Sequence, residues 1–142
     1  MAETNGFRLD DRLKNDTIKL AEWPLSDVLL MNDSQYPWVI LVPRRQGATE
    51  IYQLAEADQF QLLRESTYLG QRLMVLFSGD KLNIAALGNV VSQLHIHHVV
   101  RFEGDIAWPA PVWGKHPVTP YSEEALKKQL EVLAEIQQKK WC

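Results

Sequence analysis

Three of the chain's four histidines fall within four positions, in Gln93-Leu94-His95-Ile96-His97-His98-Val99-Val100-Arg101. Imidazole titrates near neutral pH, so such a cluster can bind a metal, donate to an anion or attack phosphorus. The flanking residues are β-branched or apolar, and on an extended segment successive side chains point to opposite faces. Gln93, His95 and His97 are therefore expected on one face and Leu94, Ile96, His98 and Val100 on the other. His98, on the apolar side, reads as a packed or hydrogen-bonded structural histidine. Three uses of the His95/His97 pair stay open at this level. A metal site needs a third ligand, and Gln93 is a poor one. Structural imidazoles satisfied by backbone carbonyls are the second. Anion chemistry is the third, and Arg101 at the segment's end suits it, although a salt bridge suits that arginine equally.

The elements that must hold these side chains are legible in outline. Thr17–Leu20, Leu25–Met31 and Trp38–Val42 read as strands, separated by Trp23-Pro24 and by the turn formers 32–35 ahead of Pro37. A long helix is expected from a capping box at Asp58 and Gln61, with Leu62, Leu69, Leu73 and Leu76 on one face and Gly79 as its stop. Leu82–Leu87 and Val90–Phe102 read as a hairpin across Gly88 and Asn89. Residues 104–120 contain four prolines and two glycines, a stiff loop with Trp108 and Trp113. Ser122 caps a last helix over 122–138. The result is one α+β domain over residues 1–142: an antiparallel sheet of about five strands, a long helix and a C-terminal helix, with a polar arm at residues 1–16. Arg44, Arg45 and His116 read as solvent-facing.

Composition bounds the partners. The 142 residues are 46% hydrophobic and 23% charged, with mean hydropathy −0.24, the balance of a globular chain with a real core. A net charge of −3 does not suit a duplex nucleic-acid binder. No window approaches the roughly 18 apolar residues of a membrane span. The polar amino terminus lacks a secretory apolar core and the single cysteine, Cys142, supplies neither a disulfide nor a thiolate cluster, so a cytoplasmic location is expected.

QLHIHHVVR resembles the signature of the histidine triad (HIT) family. LLMNDSQYPWVILVPRR is similar to that family's strand, proline turn and second strand ending in proline and basic residues, and LNIAALGNVVSQ to its asparagine-bearing strand and glycine turn. The likeness runs from about Leu25 to Trp108. It implies a HIT-like homodimer that binds a nucleoside phosphate and cleaves at the α-phosphorus through a nucleotidyl-histidine intermediate, with no cofactor and no metal. It assigns the nucleophile to His95, a phosphate contact to His97 and the first triad position to Gln93, an amide where the family carries a histidine. Asn32 or Asp33 falls on the ribose-binding position. Asn83, Gly88 and Asn89 match residues around the phosphates, and Trp108 matches a Trp-Pro pair near the site. Trp38 stands where many relatives have another histidine. A nucleotide-binding module with weakened chemistry is the alternative expectation.

Overall fold

The computed structural model describes residues 6–142; the first five residues of the expected arm lie outside the described residues. The rest of the arm is docked: after Gly6–Asp10 comes a short helix, α1 (Asp11–Asp16), capped by the Asp10 side chain, which accepts from the Arg12 amide. Five strands follow, β1 (Thr17–Glu22), β2 (Ser26–Met31), β3 (Trp38–Pro43), β4 (Lys81–Ala85) and β5 (Ile96–Arg101), in the spatial order β1-β2-β3-β5-β4, with every neighbouring pair antiparallel. The long helix α2 (Glu56–Phe77) connects β3 to β4.

Alternation along β2 and β3 divides the core into two layers. Val28, Leu30, Val39 and Leu41 join Leu62, Leu69 and Leu73 of α2 on one face. Leu29, Ile40 and Val42 face the other way, onto Leu13 of α1, Trp38, and Val112 of the 104–120 loop. Burial on both faces explains why β3 is a continuous apolar run rather than an alternating one.

Several expectations need correction. The strand expected over Val90–Phe102 begins only at Ile96, because the β4–β5 register closes at Ala85↔His97 and residues 86–95 form an irregular loop. Leu94 carries the cause: its side chain is buried and its amide donates to the Ala48 carbonyl (2.9 Å), which draws the chain away from β4. Helix α2 starts at Glu56 without the expected side-chain cap, since Asp58 is engaged by Arg45 in two hydrogen bonds of 2.7 and 2.9 Å. It ends on Ser78 in the left-handed region (φ 51°); Gly79 is needed for space, as a Cβ there would lie 2.3 Å from Val100 Cγ1. Arg44 is buried, donating to Asp27 (3.1 Å) and to the Trp23 carbonyl. The C-terminal helix is two pieces, α3 (Glu123–Val132), capped by Ser122 as expected, and α4 (Ala134–Gln137). They break at Leu133, which with Ile136 is fully buried in the α2-side core.

Candidate active site

His97 is the second residue of β5, opposite Ile40 of β3, and His95 stands just before the strand, so the chain reaches both from the middle of the sheet. Their ring centroids are 4.8 Å apart at 73°, and both rings line a cavity of about 440 Å³ that opens between α1, β3, the 86–95 loop and the 104–120 loop. The sheet thus brings the two imidazoles together as alternation predicted. His98 faces α2, fully buried, with Nε2 2.7 Å from Ser66 Oγ and Nδ1 3.1 Å from the Ile96 carbonyl. Burial, partly offset by backbone hydrogen bonds, lowers its pKa to about 4.

His95 and His97 have opposite hydrogen-bond partners. His95 Nδ1 lies 2.7 Å from the Gln93 carbonyl oxygen. A carbonyl only accepts, so the neutral ring carries its proton on Nδ1 and keeps a lone pair on Nε2, the form a nucleophile needs. His97 Nδ1 lies 3.0 Å from Trp38 Nε1, and an indole N–H only donates. His97 therefore carries its proton on Nε2. Burial, with the charges of His95 and His98 adding to it, lowers the His97 pKa to about 3, so the ring is neutral at physiological pH and serves as a fixed donor.

Around this pair the structure places the other expected residues unevenly. Gly88, at φ +74°, and Asn89 line the cavity. Asp33 also lines it, nearly fully buried, with its three hydrogen bonds, from Gln35 N, Gln35 Nε2 and Thr119 N, all on Oδ1. Asn32 is turned to the C-terminal segment, accepting from the Tyr121 amide (3.0 Å). Asn83 lies outside the cavity: its Oδ1 accepts from Arg101 (2.9 Å), whose guanidinium also grips both oxygens of Asp105 at 2.8 and 3.0 Å. Trp108 belongs to that same cluster, its ring 5.6 Å from the guanidinium and its amide donating to Asp105. The aromatic wall is instead Trp113, 5.3 Å from His97 and 6.1 Å from Trp38. Gln93 does not join the histidine patch with its side chain, because the chain is not yet a strand at that residue; the amide bonds Arg8 and Asp10 of the arm.

Sequence reasoning missed several cavity residues. His116 is half-buried in the lining with Nε2 donating to the Ile106 carbonyl (3.2 Å), and Arg12 and Leu13 reach the cavity from α1. Only the density of Pro and Trp in the 104–120 loop signalled that it covers something; α1 carried no such signal. Among the described residues no group of three His, Cys, Asp or Glu is placed to hold a metal ion, and no helix is long and apolar enough to cross a membrane.

Comparison with known proteins agrees with this geometry. The HIT domain family profile matches residues 12–104. A histidine triad protein from Marinobacter aquaeolei superposes with a TM-score of 0.91 at 55% identity, over 93% of this chain and 96% of that one. One from Bradyrhizobium japonicum gives 0.88 at 44% identity, over 91% and 96%, and one from Sinorhizobium meliloti 0.90 at 39%, over 94% and 98%. None of the curated proteins compared is a match.

Proposed function

The chain belongs to the histidine triad family, and from that premise we propose that it is a nucleotide hydrolase or nucleotidyl transferase acting at the α-phosphorus of a dinucleoside polyphosphate, a nucleoside phosphoramidate or a similar compound. The observation that carries the reading is the His95–Gln93 hydrogen bond, which leaves an Nε2 lone pair on a ring lining a nucleotide-sized cavity beside a neutral donor.

In this reading His95 Nε2 attacks the α-phosphorus, a P–N bond forms, and the P–O or P–N bond to the leaving group breaks with its electron pair. Water then attacks the same phosphorus, the P–N bond to His95 breaks, and nucleoside monophosphate leaves. Between the two steps the His95 ring carries a positive charge, and its Nδ1–H bond to the Gln93 carbonyl strengthens as that charge develops. His97 Nε2–H, together with the backbone at Gly88 and Asn89, meets charge on the nonbridging oxygens. Asp33, with Oδ2 outside its three hydrogen bonds, takes the ribose hydroxyls, which gives the ribose role to Asp33 rather than Asn32. The aromatic and apolar lining from Trp113, Ile40 and Leu13 suits a base.

We also propose a homodimer of cytoplasmic location. β4 is an edge strand, and exposed Ile84 on it, Phe60 and Leu63 on α2 and Ile51 beside them form an apolar face for a second copy.

The test is release of AMP from a panel of adenylylated substrates. Removing the nucleophile in His95→Ala should lower turnover by at least about three orders of magnitude, the scale on which loss of a nucleophile acts. A phosphorus-labelled substrate should leave an acid-labile, base-stable adduct on the unmodified chain. Equal turnover with and without His95 removes it from the mechanism; saturable AMP binding with no turnover on any substrate favours the binding module.

A further inference from the structure

Gln93 opens the histidine segment, two residues before His95, and its side chain makes two hydrogen bonds with the amino-terminal arm. Its Oε1 accepts from the Asp10 amide and its Nε2 donates to the Arg8 carbonyl, both at 2.8 Å. A primary amide presents one acceptor and one donor side by side in a plane, the complement of a carbonyl and an N–H two residues apart on one chain. A carboxylate offers only acceptors, and the two nitrogens of an imidazole diverge. The segment so held is the threshold of α1: Asp10 is the cap of that helix.

Helix α1 has six residues, far below the length at which a helix persists alone, so its place depends on anchors. One is Leu13, buried against Trp38 and Val112. Phe7 and Leu9 of the arm pack on the same cluster, and the Asn32 amide donates to the Asp16 carbonyl; the polar anchor of the segment before the helix is the Gln93 amide. The anchored helix contributes Arg12, Leu13 and Asp16 to the lining of the cavity that holds His95 and His97. The main chain of the same Gln93 accepts the His95 Nδ1–H, so one residue joins the arm to the nucleophile's orientation.

We propose that Gln93 is a positioning residue: its amide clamps residues 8–10 so that α1 stands as one wall of the nucleotide cavity, and it acts on nucleotide affinity through that wall rather than on the reacting phosphorus. The inference rests on the nucleotide reading of the cavity. The clamp itself is measurable without it.

The experiment is amide hydrogen exchange on the full chain, with and without AMP, alongside AMP affinity by calorimetry, for wild type, Gln93→Met and Gln93→Glu. Methionine keeps the volume and loses both hydrogen bonds; glutamate loses the donor. The expected result is Asp10 amide exchange about tenfold faster in Gln93→Met, the scale of losing the bond that protects it, with AMP affinity weakened at least about fivefold in both variants because each loses the bond to the Arg8 carbonyl. With a turnover substrate, the loss in kcat/KM should sit in KM. In wild type, which needs no variant to fold, AMP should slow exchange at Asp10 and across α1. Unchanged Asp10 exchange in Gln93→Met overturns the clamp. Unchanged affinity with a collapse of kcat also overturns it, because Gln93 then acts on the substrate. If wild type binds no AMP, the nucleotide reading and the cavity role fall together, and Asp10 exchange still decides whether the arm is clamped.

Discussion

Lowering the pH from 7.5 to 5 should cost this protein about 4 kcal/mol of folding stability, through His97 and His98 alone. Both rings are buried without a carboxylate partner, and their pKa values fall from 6.5 to about 3 and about 4. The unfolded chain therefore takes up protons first as pH falls through 6.5, while the folded chain does not follow until near 4. Stability is full above 6.5 and declines below it, with a slope of about 1.4 kcal/mol per pH unit for each ring. At pH 5, one and a half units below 6.5, each ring has cost about 2 kcal/mol. The sum is a large part of the roughly 5–15 kcal/mol that holds a domain together. Carboxylates do not confuse the window: those with lowered pKa, Glu22, Asp105 and Glu135, begin from ordinary values of 4.5, 3.8 and 4.5 and act at lower pH. The assay is urea unfolding at fixed temperature from pH 7.5 to 5, reading the midpoint at constant m-value. His97→Asn, whose Oδ1 keeps an acceptor for the Trp38 N–H, should halve the slope. A flat profile, or a slope unchanged by that substitution, refutes the assignment of two neutral buried imidazoles.

The other predictions are shorter. Trp38→Phe removes the donor that fixes the His97 tautomer, a hydrogen bond worth about 1 kcal/mol net. The expected outcome is a shift of the His97 nitrogen resonances toward a mixed tautomer and about a fivefold fall in kcat/KM; unaltered resonances contradict it. Asp105→Asn leaves the Arg101 guanidinium buried without its counter-charge and should cost about 3–5 kcal/mol, read from thermal or urea unfolding. Ile84→Lys on the open edge of β4 should convert a dimer to a folded monomer in analytical ultracentrifugation; a wild-type monomer at micromolar concentration removes the proposed interface.

Local chemistry carried most of the fold. The first three β-branched runs, the Ser122 cap and the helical leucines each act through neighbours a few residues away, and the structure keeps them. The same holds for the site's centre, because alternation over two residues decides that His95 and His97 share a side. What escaped depends on partners far along the chain. The start of β5 is set by a bond from Leu94 to Ala48, the burial of Arg44 by Asp27 and Trp23, and the fate of the Gln93 amide by residues more than 80 positions away. Asn83 and Trp108 look like site residues by likeness of position, but the Arg101–Asp105 pair takes both for fastening the 104–120 loop to the sheet. Trp113 and His116 then enter the cavity on that fastened loop.

The division of labour between His95 and His97 follows from which kind of atom meets each Nδ1. Two neutral imidazoles 4.8 Å apart are chemically equivalent until something selects a tautomer. A main-chain oxygen selects the Nδ1–H form at His95, and an indole N–H selects the Nε2–H form at His97. One ring is left with an exposed lone pair and the other with an exposed proton, the complementary pair that attack on a phosphoryl group requires. Neither assignment draws on a carboxylate: a main-chain carbonyl and an indole N–H suffice. A carboxylate in place of the Trp38 indole would accept a proton from His97 Nδ1, favour the charged ring and erase the distinction. In the proposed reaction the Trp38 side chain therefore acts through His97, because its indole N–H leaves that ring a single role, that of a donor from Nε2.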